Sequence, residues 1–130
     1  MAVKAIELVS IPVSDQDRAK RFYTDVLGFT ELIDTPLSPD MRWVMLGLPA
    51  GGTRIALVTW FESMPAGSLS GTVLACDDLK ATLADLEARG LSCAEEEIQE
   101  APWGRWKTFA DPDGNGWVLQ QSTDVFQGQG

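Results

Sequence analysis

The sequence predicts an α+β fold made of two βαβββ modules that form a curved mixed sheet around a cleft. In each half of the 130-residue chain, one strand-like run precedes an amphipathic helical stripe and three more strand-like runs follow it. In the first half the step from Asp15 at the helix start to Gly28 at its end is 13 residues. The second half repeats this step, with 13 residues from Asp77 to Gly90.

Module one is predicted over residues about 4–60. Its first strand is rich in β-branched and apolar residues and ends at Ser14-Asp15, which is typical of a helix N-cap. Apolar residues then recur at spacings of three and four until a glycine ends the helix. The predicted elements are a strand at 5–13, a helix at 16–27 and strands at 29–34, 42–48 and 54–60, with turns at 36–40 and 49–52.

Module two is predicted over residues about 71–122, after a linker at 61–70 that is rich in turn formers. Asp77-Asp78 is predicted to cap its helix, and a tail at 123–130 follows the last strand. The predicted strands lie at 71–75, 91–98, 105–110 and 116–121. We treat residues 1–130 as one domain, because a chain of this length usually forms one core.

The charge of the chain argues against two classes of partner. Asp and Glu number 19 against 10 Lys and Arg, there is no histidine, and the formal net charge is -9. Such a surface repels nucleic acid and anionic membranes. The first residues lack the apolar region of a signal peptide, so we expect a cytoplasmic protein in which Cys76 and Cys93 are free thiols.

Two segments carry a resemblance to a known family. Residues 13–29, VSDQDRAKRFYTDVLGF, and residues 109–119, FADPDGNGWVL, resemble the vicinal oxygen chelate superfamily, which includes glyoxalase I, extradiol dioxygenases and bleomycin and fosfomycin resistance proteins. The resemblance covers residues about 4–122. It implies a glyoxalase-like pair of modules, a homodimer and, in many members, a divalent metal held in the cleft by four side chains.

The resemblance also indicates where the four metal ligands of the family would fall. In this sequence those positions hold Leu8, Leu57, Thr72 and Val118. A divalent ion needs several imidazole, carboxylate or other oxygen ligands, and these four residues offer one hydroxyl. We therefore expect no metal and no other cofactor.

The predicted cleft is instead apolar and aromatic, which is typical of sites for organic molecules. Trp43 and Trp106 are candidates for stacking on a planar ligand. Trp60, Trp103 and Trp117 are assigned to the core or to subunit contacts, and Tyr23 is expected to be structural. The candidate ligand-binding residues are Leu8, Trp43, Met45, Leu57, Thr72, Trp106, Thr108, Val118 and Gln120.

Three functions remain open at the level of the sequence. The first is a metal-free protein, similar to bleomycin resistance proteins, that binds a hydrophobic or aromatic small molecule. The second is a metal-independent isomerase, cyclase or lyase that uses Glu62, Asp34 or Asp40, expected on loops at the cleft mouth, as its base. The third is a metal-dependent lyase or dioxygenase, which the four ligand positions disfavour. Whether the protein is an enzyme stays undecided, and no catalytic residue is assigned.

Overall fold

The predicted order of strands and helices is confirmed by a computed structural model, which describes residues 2–92 and 97–123. The first half contains β1 (Leu8–Pro12), α1 (Gln16–Arg21), a π-helical continuation (Phe22–Val26), β2 (Thr30–Ser38), β3 (Met41–Gly47) and β4 (Arg54–Val58). The second half contains β5 (Thr72–Ala75), α2 (Leu79–Ala88), β6 (Gln99–Ala101), β7 (Gly104–Ala110) and β8 (Gly116–Ser122). Within these described ranges, neither helix is long and apolar enough to cross a membrane.

The strands form two mixed four-stranded sheets with the same topology. The first sheet has the order β1-β4-β3-β2 and the second has the order β5-β8-β7-β6. In each sheet the first strand runs parallel to the last strand of its unit, and the other pairs are antiparallel. Parallel strands need a long crossover connection, which is usually a helix, whereas antiparallel strands can be joined by a short turn. Each unit therefore has one helix. The α+β fold is thus the predicted one.

Each helix begins at an aspartate whose side chain satisfies a free backbone N–H. Asp15 accepts a hydrogen bond of 3.0 Å from the backbone nitrogen of Arg18, and Asp78 accepts one of 3.1 Å from that of Ala81. The sequence predicts that Asp77-Asp78 caps α2. In the structure the N-cap residue is Asp78. Equivalent residues of the two units near the helix starts are therefore 63 apart.

β1 and β4 are shorter than predicted, and two other strands differ in where they lie. β2 continues through Pro36 to Ser38, where a turn was expected. It lies at the edge of its sheet, where a residue without an N–H is tolerated, and its pairing with β3 is irregular between Pro36 and Ser38. β6 covers residues 99–101 instead of 91–98. Residues 93–96 of that predicted strand lie outside the described residues.

One hydrophobic core fills the space between the helices and the sheet faces that carry them. Ile11 and Leu57 of the first sheet are fully buried, and Trp117 of the second is 1% exposed. The core includes residues of both units: Ile11, Val13, Ala19, Tyr23, Leu27, Phe29, Val44, Leu46, Ile55, Leu57, Leu79, Leu83, Leu86, Leu91, Phe109, Trp117 and Leu119. Burial of this apolar surface therefore stabilises the two units together.

A buried hydrogen-bond network joins the two units at Tyr23. Its hydroxyl donates to Asp111 Oδ2 at 2.7 Å and accepts from Trp117 Nε1 at 2.9 Å. Asn115 Nδ2 donates to the same Asp111 oxygen at 2.7 Å and to the backbone oxygen of Pro12 at 2.8 Å. Burial raises the pKa of Tyr23 above its ordinary value, so the phenol stays protonated and can donate. The structural role expected for Tyr23 is confirmed.

Replacing Tyr23 by Phe removes the hydroxyl and leaves Trp117 Nε1 and Asp111 with one partner fewer. We expect the free energy of unfolding to fall by about 1–3 kcal/mol, the usual cost of an unsatisfied buried polar group. Urea denaturation followed by tryptophan fluorescence measures this change. A Tyr23→Phe protein with the midpoint of the parent would contradict a stabilising role for the hydroxyl.

An ion-pair network fixes α1 to β2 and β3. Arg42 donates from both Nε and Nη2 to Asp34 at 2.8 Å, and Lys20 Nζ donates to the same carboxylate at 2.7 Å. These cations hold the pKa of Asp34 well below its usual range. Asp34 therefore lies on a strand within an ion-pair network. The expectation that it lies on a loop at the cleft mouth is wrong, and its basicity is lowered rather than raised.

Asp34 makes the free energy of unfolding depend on pH in the acidic range. Because its pKa is lower in the folded chain than in the unfolded chain, its contribution is present near neutral pH and is lost progressively as the pH falls below about 4. We expect Asp34→Asn to lower the unfolding free energy by about 1–2 kcal/mol at pH 7, since the network is partly hydrated. The deficit should shrink on titration to pH 3.

Urea denaturation at several pH values tests this expectation. The matched control is Asp40→Asn, the same chemical change in the exposed β2–β3 turn. A deficit for Asp34→Asn that stays constant with pH, or an equal deficit for Asp40→Asn, would refute the assignment.

Candidate functional site

The first sheet has one face that turns away from α1. Ser10 of β1 pairs with Ala56 of β4, and Ala56 pairs with Met45 of β3, so the three side chains share a face. The alternation of side chains along a strand adds Leu8 and Trp43. We name this surface the helix-free face of the first sheet. It brings together three of the residues that the sequence predicts for ligand binding, whose role in binding stays a prediction.

The second sheet has an equivalent surface. Trp106 of β7 pairs with Gln120 of β8, and Thr108 pairs with Val118. Val118 also pairs with Val73 of β5, whose side chain is 52% exposed. These five residues define the helix-free face of the second sheet. It includes the other predicted ligand-binding residues except Leu57 and Thr72.

The predicted position of Leu57 is wrong. Leu57 pairs with Ile11 of β1 and Val44 of β3, and all three side chains are fully buried beneath the helices. Its neighbour Ala56 lies on the helix-free face instead. The error is one residue of strand phase, which moves a side chain to the opposite face of the sheet.

The predicted position of Thr72 is wrong for the same reason. Thr72 pairs with the buried Trp117 and lies on the helix-bearing side of β5. Because equivalent positions are 63 residues apart, Thr72 matches Val9, which packs against the core. Val73 takes the place on the helix-free face that was predicted for Thr72.

Each helix-free face has a pair of tryptophans beside it. The rings of Trp43 and Trp60 have centroids 6.2 Å apart and planes inclined at 33°. The rings of Trp103 and Trp106 have centroids 6.3 Å apart and are close to parallel, at 5°. Trp103 is 48% exposed. Trp60 and Trp103 therefore accompany the two stacking candidates, and Trp117 is the tryptophan that fills the core.

The polar groups on these faces are almost all uncharged. Ser10 and Thr108 present hydroxyls, and Gln120 presents an amide whose Nε2 donates to Ser122 Oγ at 3.1 Å. Arg54 pairs with Leu8 at the start of β4, and its guanidinium lies 3.9 Å from a Glu7 carboxylate oxygen. The faces therefore offer hydrogen bonds and stacking surfaces, with one cation at the edge of the first sheet.

The donor set on these faces does not fit a divalent metal. After correction of the strand phase, these faces carry on β1, β4, β5 and β8 aliphatic residues, serine and glutamine side chains and Arg54, and none of these described residues is a carboxylate, imidazole or thiolate. A metal site needs several carboxylate, imidazole or thiolate ligands. Within residues 2–92 and 97–123, no three His, Cys, Asp or Glu side chains cluster so that they could hold a metal ion.

The other titratable side chains considered for catalysis do not belong to the strand residues that define the helix-free faces. Glu62 is exposed in the segment between the two units, and Asp40 is exposed in the β2–β3 turn. Cys76 is a half-buried free thiol. Burial raises the pKa of this thiol, opposed by a hydrogen bond with Thr82, so the thiolate is disfavoured. Cys93 lies outside the described residues.

Sequence reasoning missed Trp103, Ala56 and Val73 as members of these surfaces. The position of Trp103 could have been inferred from the sequence, because it lies three residues before Trp106. In the structure Trp103 lies in the tight turn between β6 and β7, and such a turn brings nearby residues together. Ala56 and Val73 depend on strand phase. That phase is ambiguous in a strand such as β4, where four consecutive apolar residues are buried.

Comparison with known proteins agrees with this architecture. TnmS3, an antibiotic binding protein from Streptomyces sp. CB03234, has a structure that matches with a TM-score of 0.86 and 41% identity, over 95% of this chain and 99% of that chain. A glyoxalase/bleomycin resistance protein from the same organism matches with a TM-score of 0.78 and 42% identity, over 90% of this chain and 100% of that chain.

Sequence comparison gives the same relationship. YetH of Bacillus subtilis (strain 168) is 31% identical over 122 residues, which cover 92% of this chain and 99% of the relative. The family model of the Glyoxalase/Bleomycin resistance protein/Dioxygenase superfamily matches residues 5–119. The chain therefore belongs to the Glyoxalase/Bleomycin resistance protein/Dioxygenase superfamily.

Proposed function

We propose that this protein binds a neutral, aromatic small molecule on its helix-free faces without the help of a metal. The observation that carries the proposal is the combination of two tryptophan pairs with apolar and uncharged polar side chains on these faces. Such surfaces bind by stacking and by removal of apolar area from water. The ligand is retained and released chemically unchanged.

The character of the ligand follows from the charges. An anionic ligand would have to leave water for faces whose described strand residues offer one cation, Arg54, which lies beside Glu7, in a protein of net charge -9. A strongly cationic ligand would meet no carboxylate among the strand residues that define the helix-free faces. A neutral polycyclic molecule with one or two hydroxyl or carbonyl groups can stack on the rings and bond to Ser10, Thr108 or Gln120.

Similarity to TnmS3 supports this proposal, because that protein is described as an antibiotic binding protein and 99% of its chain is covered. Catalysis by a carboxylate base has weaker support. Asp34 is neutralised by Arg42 and Lys20, and Glu62 and Asp40 are exposed to water, outside the helix-free faces. We therefore propose sequestration in the cytoplasm over an isomerase, cyclase or lyase activity.

Isothermal titration calorimetry with 1-pyrenemethanol, a neutral polycyclic probe, tests the site. We expect Trp43→Ala and Trp106→Ala each to raise the Kd by roughly tenfold, since loss of one aromatic contact costs on the order of 1.4 kcal/mol. Trp106→Phe is the matched control, because it keeps a stacking ring and should retain most of the affinity.

The expected preference for a neutral ligand is tested with 1-pyrenecarboxylate, which has the same rings and a negative charge. It should bind more weakly than the neutral alcohol. Equal or tighter binding of the carboxylate, or unchanged Kd values in both alanine variants, would overturn the proposal.

We also propose that a second copy of the chain covers the helix-free faces and completes the site. Within the described residues, the ring contacts join Trp43 to Trp60 and Trp103 to Trp106, and none joins one pair to the other. Val73 is 52% exposed, so apolar area remains available for contact.

Sedimentation measurements test this arrangement. We expect a dimer for the parent chain and a shift toward monomer for Val73→Lys, because a lysine there would place an unpaired charge in the interface. The matched control is Ala84→Lys on the exposed side of α2, which should remain dimeric. A parent chain that is monomeric in sedimentation and still binds 1-pyrenemethanol would contradict a site shared between two copies.

A further inference from the structure

A pocket of about 380 Å³ lies between the two units, and none of the described residues that line it is a tryptophan. One wall is formed by the β3–β4 turn and the end of the first helix, and the other by β5, α2 and β8. Leu27, Phe29, Leu86 and Leu119 reach it from the buried core, whereas Ala50 lies at its exposed rim. The inner part of the pocket is therefore formed by core residues. Val73 lines the pocket and also belongs to the helix-free face of the second sheet.

The internal repeat explains why this space is open. Tyr23 lies eight residues after the N-cap Asp15, and Leu86 lies eight residues after the N-cap Asp78. Tyr23 fills its position with a large ring and bonds to Asp111 and Trp117. Leu86 is smaller and lines the pocket instead. The second unit thus has a cavity at a position that the first unit fills.

The lining selects a ligand with little need for hydrogen bonds. Among the described lining residues, the polar side chains are those of Cys76 and Thr82, which form a hydrogen bond with each other. Among the described residues that line the pocket, none is charged. A carboxylate or phosphate would lose its hydration there without a cation to compensate its charge.

We infer that this pocket is a second binding site, separate from the tryptophan pairs, for a neutral hydrocarbon-like molecule of one or two rings. Its volume lies within the range of small-molecule sites, near the lower end. Apolar cavities stay free of bound water and take up apolar guests. The guest contacts core residues of both units, so its binding favours the arrangement in which the two units are packed together.

Protection of Cys76 from alkylation tests the inference. The protein carries Cys93→Ser so that Cys76 is its only thiol, and the probe is indane, a neutral bicyclic hydrocarbon. We expect indane at about ten times its Kd to slow the reaction of Cys76 with N-ethylmaleimide by about tenfold, as mass action requires. Indane-2-carboxylate, the anionic analogue, should give no protection.

Variants at the rim locate the probe. Ala50→Trp places a large side chain at the mouth from an exposed turn position and should abolish protection. Ala84→Trp, on the exposed side of α2 and outside the pocket, should keep it. Ala50→Phe repeats the test should the larger side chain disturb folding.

The outcome is independent of the proposed function, because Trp43→Ala and Trp106→Ala should leave protection by indane unchanged. Equal alkylation rates with and without indane in the parent protein would overturn the inference. Full protection of the folded Ala50→Trp or Ala50→Phe protein, or loss of protection in the Trp43→Ala or Trp106→Ala protein, would do so too.

Discussion

The buried hydroxyl of Tyr23 is the contact on which the arrangement of the two units depends. It connects the helix of one unit to Asp111 and Trp117 of the other, and Asn115 extends the connection to Pro12 at the end of β1. A fully satisfied buried network of this kind specifies one packing, because any other would leave polar groups without partners. The helix-bearing faces of both sheets thereby pack into one core, and the opposite faces are the ones that we propose for ligand binding.

Much of this could be predicted from the sequence, since the order of strands and helices follows from turn residues, caps and apolar spacing. The phase of the strands could not. In β4 the apolar run gives no alternation, so Leu57 was placed on the wrong face and its neighbour Ala56 was missed. In β5 the resemblance indicated Thr72, and the structure has its neighbour Val73 on the helix-free face. Tertiary pairing resolves both, and a single sequence does not contain it.

The change of chemistry within the superfamily can be understood from the same surfaces. Where a metal site requires carboxylate, imidazole or thiolate ligands, the described residues of these faces are aliphatic or carry a hydroxyl, an amide or, at Arg54, a guanidinium. The corrections at Leu57 and Thr72 leave that conclusion unchanged, because the residues that replace them are Ala56 and Val73. Tryptophan pairs lie beside both surfaces instead, and the proposed recognition rests on shape, stacking and exclusion of charge.

The most direct test of metal-free binding is native mass spectrometry of protein dialysed against EDTA and mixed with 1-pyrenemethanol. We predict a complex whose mass equals the protein plus the unaltered probe, in the same yield before and after addition of Mn²⁺ or Zn²⁺. A complex that forms only after a metal is added, or a probe recovered with a different mass, would contradict it.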